Sequence, residues 1–190
     1  MIIQVIYMLM HLLPIRKNQV LMFSYYGEQY SGSPKYIGKY LSEHTDLEVI
    51  WAFVNMEKHQ SFTGKKVRYG HLKYYYHLAT AGTIITNYRM TEDFAKRKGQ
   101  KYIQTWHSSL RLKMIESDAI ETLPSHYVQM AKKDSKQIDY LLAGSKKSRE
   151  IFEQAFWYDG KIMDCGTPQC DILFENRELY LNKVFAHYHI

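Results

Sequence analysis

Cysteine is nearly absent from this chain: Cys165 and Cys170, five positions apart, are the two it has. So low a number excludes a disulfide-stapled scaffold, and the spacing matches no zinc-ligand pattern. Free thiols in a reducing compartment are expected. A long apolar run is missing as well. Residues 1–15 are mostly apolar but stop at Arg16-Lys17, short of the roughly 20 residues that a spanning helix needs. A signal peptide would carry positive charge before such a run and a small-residue cleavage site after it, and the segment has neither. The glycines form neither a dinucleotide fingerprint nor a P-loop. There is no internal repeat and no low-complexity tract.

What is present is moderately basic. Twenty-five Lys and Arg against 19 Asp and Glu give a net charge of +6 and a pI near 9.1, which favours anionic partners. The excess is small and spread out, so nucleic acid is not indicated. With 46% hydrophobic residues over 190 positions, the chain suits one well-cored domain and not a disordered segment. Seventeen tyrosines suit amphipathic surfaces, either a polyol-binding cleft or the headgroup zone of a bilayer.

Short apolar runs alternate with helical spacing. Strands are expected at 19–24, 48–54, 66–69, 83–86, 101–106, 139–143 and 161–164. Helices are expected at 34–41, 71–81 with Gly82 as its stop, 111–134 and 145–156. That alternation implies an α/β fold, a Rossmann-like parallel sheet with helices on both faces. Residues 1–17 form an amphipathic helix, either interfacial with Arg16 and Lys17 at lipid headgroups or packed on the domain's own core. Residues 18–174 make the sheet domain, and residues 175–190 form a tail with room for one helix.

The most informative stretch is 101–109, where a short strand ends in Trp106-His107-Ser108-Ser109. Open α/β sheets place their chemistry beyond the strand ends, and an imidazole can take a proton from a hydroxyl at neutral pH. Ser108 and Ser109 leave room for a substrate, while Arg111 and Lys113 would attract an anion. Asn87 and Arg89, which follow the strand at 83–86, would line the same edge, with Arg89 as a bidentate phosphate clamp. The turn at Ser145 and Ser148 opens a helix whose free N–H groups suit an anion. The loop at 27–33, rich in Gly, Ser and Tyr, suits hydroxyls of a polyol. His187 and His189, two apart near the end, make no metal set, and no metal is expected.

Taken together, these segments resemble the N-terminal half of the CDP-glycerol glycerophosphotransferase family. The resemblance rests on KRKGQKYIQTWHSSLRLKMIESDA (96–119), AKKDSKQIDYLLAGSKKSREIFEQAFWYDG (131–160) and GTPQCDILF (166–174). FSYYGEQYSGSPKYIGKYL (23–41) and TNYR (86–89) also fit, so it covers nearly all of 18–174. The family usually has Gly after Trp-His, where this chain has Ser108. Its closing motif commonly carries Arg and Asn where this chain has Gln169 and Cys170, which removes one phosphate contact.

The resemblance implies the N-terminal half of a glycosyltransferase-B-like architecture and an enzyme that transfers glycerol phosphate from CDP-glycerol. His107 matches the general base that deprotonates the acceptor hydroxyl. Trp106, Ser108, Ser109, Arg111 and Lys113 would shape its pocket, with Asn87, Arg89, Ser145 and Ser148 as further acceptor or phosphate contacts. No cofactor is implied, and the donor CDP-glycerol belongs mainly to a C-terminal half outside these residues. The implied partners are a lipid-linked polyol-phosphate acceptor of the teichoic-acid or capsular type, the cytoplasmic face of the plasma membrane in peripheral contact, and a separate nucleotide-binding half. Alone, the chain is expected to be inactive. Two other readings stand beside this one: a non-catalytic module that docks on anionic membrane or polyanionic polymer, and the acceptor half of a sugar-nucleotide glycosyltransferase.

Overall fold

The apolar runs of this sequence alternate sides, as strands buried on both faces require. In the computed structural model, which describes residues 2–91, 93–108, 113–175 and 177–189, Leu21 and Phe23 enter one core. Val20 and Met22, between and before them, enter a second core on the opposite face. The elements follow in the order α1 (Ile2–Met10), β1 (Arg16–Phe23), α2 (Gly32–His44), β2 (Glu48–Phe53), β3 (Lys65–Arg68), α3 (Leu72–Thr80) and β4 (Ala81–Thr86). After these come β5 (Lys101–Gln104), α4 (Ser125–Ser135), β6 (Tyr140–Ala143), α5 (Lys146–Ala155), β7 (Lys161–Asp164) and α6 (Arg177–Tyr188). Short 3-10 turns span Tyr25–Gly27, Glu116–Thr122 and Pro168–Leu173.

The seven strands form one sheet in the order β3-β2-β1-β4-β5-β6-β7, and every recorded pairing between them is parallel. The chain winds outward from β1 to β3 and then returns across it to continue from β4. Strand order therefore reverses between β1 and β4, and a crevice opens beyond the C-terminal ends of such a pair. Tyr74 and Leu78 of α3 and Ile151 and Phe152 of α5 cover one face. Ile37 and Leu41 of α2 cover the other, over Trp51 and Phe53.

Three local expectations are corrected. Gly82 does not stop α3; it lies inside β4, where an added Cβ would sit 2.7 Å from the Lys17 Cα and 2.9 Å from the Arg16 carbonyl oxygen. Close backbone approach of β1, not helix termination, requires glycine there. Helix α1 closes at Met10, and Arg16 and Lys17 open β1 instead of ending the helix. The helical stretch expected at 111–134 divides into the 3-10 turn Glu116–Thr122 and α4, separated by Pro124. Proline disfavours helical geometry in the residue before it, here Leu123 (φ −92°, ψ 139°).

Helix α1 packs on the domain's own core along one side and leaves the other side exposed. Tyr7 is buried beside Tyr75 of α3, while Val5, Met8, Leu9 and Leu12 remain exposed. Among the described residues no helix is long and apolar enough to cross a membrane.

Candidate functional site

The site lies where strand order reverses. Thr105 continues the ladder past the end of β5, its N–H donating to the Thr86 carbonyl at 2.9 Å. Trp106 then turns into the left-handed region (φ 54°), and its N–H donates to the Gln104 side-chain oxygen at 2.9 Å. A non-glycine residue held there costs on the order of 1 kcal/mol or more. The turn carries His107 over the ends of the strands. Trp106 itself is buried against Phe156, so it anchors the turn and also borders the pocket.

His107 is half-buried. Tyr88 stacks on its ring with centroids 4.7 Å apart and planes at 28°, and Trp106 lies 4.2 Å away on centroids. Its Nδ1 is 3.3 Å from the Asn87 carbonyl oxygen. With Nδ1–H donating to that carbonyl, Nε2 keeps its lone pair and can accept a proton. Burial, with help from the Lys113 charge, holds the imidazole below its ordinary value of 6.5. It outweighs the Asn87 carbonyl and Glu116, which act upward. The ring is therefore neutral at neutral pH, the form that can take up a proton.

The pocket beside this imidazole is bounded by Ser33 of α2, by Thr105, Trp106 and Ser108, by Gly144, and by the stretch Gly166, Thr167, Pro168 and Gln169. Its volume is about 10 Å³, room for about one water-sized group such as a hydroxyl. Ser33 comes from the loop at 27–33 expected to suit a polyol, and Gln169 from the closing motif; sequence reasoning missed the stacking Tyr88, because ring stacking across 19 positions of sequence has no local signal.

Of the residues expected at the site, His107, Trp106 and Ser108 come together. Asn87 is adjacent, fully buried, with its carbonyl on His107 and its side-chain oxygen accepting the Tyr25 N–H at 2.9 Å. Lys113 is exposed, near enough for its charge to act on His107. Ser109 and Arg111 lie outside the described residues.

Arg89 requires correction. It does not line the crevice but is 2% exposed, paired with Glu116 at 3.0 Å and Asp134 at 3.1 Å. It also donates to the Ser135 hydroxyl at 2.7 Å, and its guanidinium lies 3.8 Å from the Phe156 ring centroid. Two carboxylates already satisfy the charge offered to a phosphate. Ser148 is buried too, its N–H donating to the Ser145 hydroxyl oxygen at 3.1 Å. Ser145 therefore caps α5, which takes up the N–H that an anion would need. An open hollow of about 240 Å³ remains beside this turn, lined by Ser145, Lys146, Arg149 and Asp164.

Among the described residues no three His, Cys, Asp or Glu side chains converge as a metal site. Cys165 and Cys170 are free thiols.

Comparison with known proteins bears on the family and the fold. The family model for CDP-glycerol:poly(glycerophosphate) glycerophosphotransferase matches residues 5–190. The teichoic acid poly(glycerol phosphate) polymerase of Bacillus spizizenii is 30% identical over 195 residues, covering 96% of this chain and 49% of that protein. The teichoic acid glycerol-phosphate transferase of Staphylococcus aureus is 31% identical over 169 residues, covering 85% and 43%. A solved histidine-to-asparagine variant of the wall teichoic acid polymerase TagF has a TM-score of 0.84 at 27% identity, over 97% of this chain and 48% of that one. The same variant soaked with CDPG has a TM-score of 0.82, over 99% and 49%. The expected fold is the one found: an α/β parallel sheet forming one half of a glycosyltransferase-B-like architecture. The chain spans about half the length of these relatives.

Proposed function

The chain belongs to the CDP-glycerol:poly(glycerophosphate) glycerophosphotransferase family, and on that premise we propose that it is the acceptor-side half of such an enzyme, with His107 as general base. The observation that carries this reading is the neutral, half-buried His107 imidazole on the wall of a crevice at the strand-order reversal. Nε2 takes the proton from the terminal glycerol hydroxyl of a polyol-phosphate acceptor. The freed oxygen attacks the β-phosphate of CDP-glycerol, a new P–O bond forms, and the bond to CMP breaks. The Asn87 carbonyl and Tyr88 ring fix the imidazole so that one nitrogen faces the hydroxyl, and general-base help of this kind contributes about 10²–10⁴-fold.

Phosphoryl transfer also needs charge neutralised around the phosphate. In this reading the CDP-glycerol donor is held by a nucleotide-binding half, and transfer needs that half together with these residues. In a full-length protein carrying this segment, His107→Ala lowers CMP release from CDP-glycerol and a glycerol-phosphate primer by about 10²-fold or more, with its thermal unfolding unchanged. Retained turnover removes the base assignment. CMP release by the 190-residue chain itself would overturn the requirement for a second half.

The exposed apolar side of α1 supports a peripheral position at the cytoplasmic membrane face, where a lipid-linked acceptor is presented. Anionic vesicles should sediment the chain, and Leu9→Glu with Leu12→Glu should abolish this, since these two side chains are exposed and make no demand on the core. Equal sedimentation of the variant would show that α1 does not reach lipid.

A further inference from the structure

The pocket beside His107 holds more polar groups than the deprotonation of one hydroxyl requires. Ser33, in the first turn of α2, lines it and is 5% exposed. Its hydroxyl has no hydrogen-bond partner among the described residues. A buried polar group is ordinarily paired, so an unpaired one on a pocket wall needs a reason. Thr167 and Gln169 line the same pocket, and their side chains also make no hydrogen bond among the described residues. The Thr105 hydroxyl differs, because it already donates to the Trp106 carbonyl at 3.0 Å.

The chain holds these groups together. The Cys170 N–H donates to the Thr167 carbonyl at 2.7 Å, which closes the turn that carries Gln169. That turn packs on the start of α2. An ideal Cβ built on Gly32 would lie 3.7 Å from the Gln169 side-chain oxygen and 3.0 Å from the Asn87 Nδ2. None of the residues that line the pocket is Asp, Glu, Lys or Arg. Lys146, Arg149 and Asp164 line the neighbouring hollow instead, with Gly144 and Gly166 bordering both. An anion entering the small pocket would lose its water and gain no counter-charge, which is costly. A hydroxyl loses little there, since two hydroxyls and an amide offer it both donors and acceptors.

We infer that Ser33, Thr167 and Gln169 form a specificity subsite for the hydroxyl next to the one that reacts, so that the acceptor must end in a vicinal diol. The inference rests on the acceptor-side reading above and adds to it what the chain end must carry. The volume of about 10 Å³ admits one hydroxyl. With the neighbouring hydroxyl seated there, the reacting one stands one carbon–carbon bond away, beside the His107 imidazole. A chain end capped by phosphate is rejected by its charge. A chain end without the second hydroxyl leaves the polar groups of the subsite unpaired, which is how such a site discriminates.

The test titrates the 190-residue chain with three ligands: glycerol-phosphate dimer, the same dimer lacking the middle hydroxyl of its terminal unit, and a dimer phosphorylated at that end. Backbone and glutamine side-chain amides are followed by NMR. The intact dimer should shift the Ser33, Thr167 and Gln169 resonances, and the other two should bind about tenfold or more weakly. Ser33→Ala combined with Gln169→Ala should bind the intact dimer about tenfold more weakly while its affinity for the deoxy dimer does not fall. A merely structural loss would lower both. Binding is read without transfer, so a failed base assignment, seen as CMP release retained by His107→Ala, leaves this result standing. Equal affinity for the intact and deoxy dimers, or no shift at these three positions, would overturn the subsite. Comparing the ligands on the parent chain decides the matter even if the double variant does not fold.

Discussion

The Asn87 side-chain oxygen accepts the Tyr25 backbone N–H at 2.9 Å, joining the end of β4 to the end of β1 across 62 positions of sequence. The bond spans the place where strand order reverses, so it closes the floor of the crevice. It also fixes the Asn87 peptide, whose carbonyl faces His107 Nδ1. The orientation of the His107 ring is thereby tied to the sheet topology.

The pH dependence of the site follows from the burial of His107. A lowered imidazole pKa means that the folded protein binds this proton less tightly than the unfolded chain. The associated stability is intact above about 6.5 and is lost as pH falls through that value toward the folded pKa. Activity changes in the same direction, because the protonated ring cannot act as a base. The acid limb of kcat/KM in a full-length enzyme should inflect below 6.5, matching the His107 ring-proton titration by NMR. An inflection above 6.5 would contradict the environment described for the ring.

Arg89 should matter for folding. Burial raises the Asp134 carboxyl to about 6 against the opposing pull of Arg89, so at neutral pH it is ionised and depends on its partner. Tyr127 also donates to Glu116 at 2.7 Å. Replacing Arg89 with Ala leaves two buried carboxylates uncompensated, a loss of about 3–5 kcal/mol, measurable by urea unfolding. Arg89→Lys should recover only part of it, since one ammonium cannot reproduce the fork that reaches Glu116, Asp134 and Ser135. A near-neutral Arg89→Ala would refute the account of this cluster.

Gly82→Ala tests the corrected role of that glycine. If close approach to β1 is the reason for it, the methyl group meets the backbone of Arg16 and Lys17 and costs about 1–3 kcal/mol. A helix-stop role would make the change neutral, as φ at Gly82 lies outside the left-handed region. Thermal unfolding separates the two outcomes.

The sheet was legible because its strands are buried on both faces, and such strands appear in the sequence as continuous apolar runs broken by helical spacing. His107 was legible for a related reason: it stands directly after one of those runs, and position at a strand end is a local property. Arg89 was not. Its place two residues beyond Asn87 suggested the crevice, yet Glu116 and Asp134 arrive from distant segments and turn it inward.

Sequence alone determined the parallel α/β architecture, the family resemblance and the candidate base, since each depends on short-range pattern and spacing. Only the tertiary structure decided which cations reach the crevice, why Gly82 is glycine, and that Asn87, Gly32, Ser33 and Gln169 meet beside His107. Charge pairing and close approach depend on what long-range folding brings within a few ångströms, and no local pattern in the chain encodes that distance.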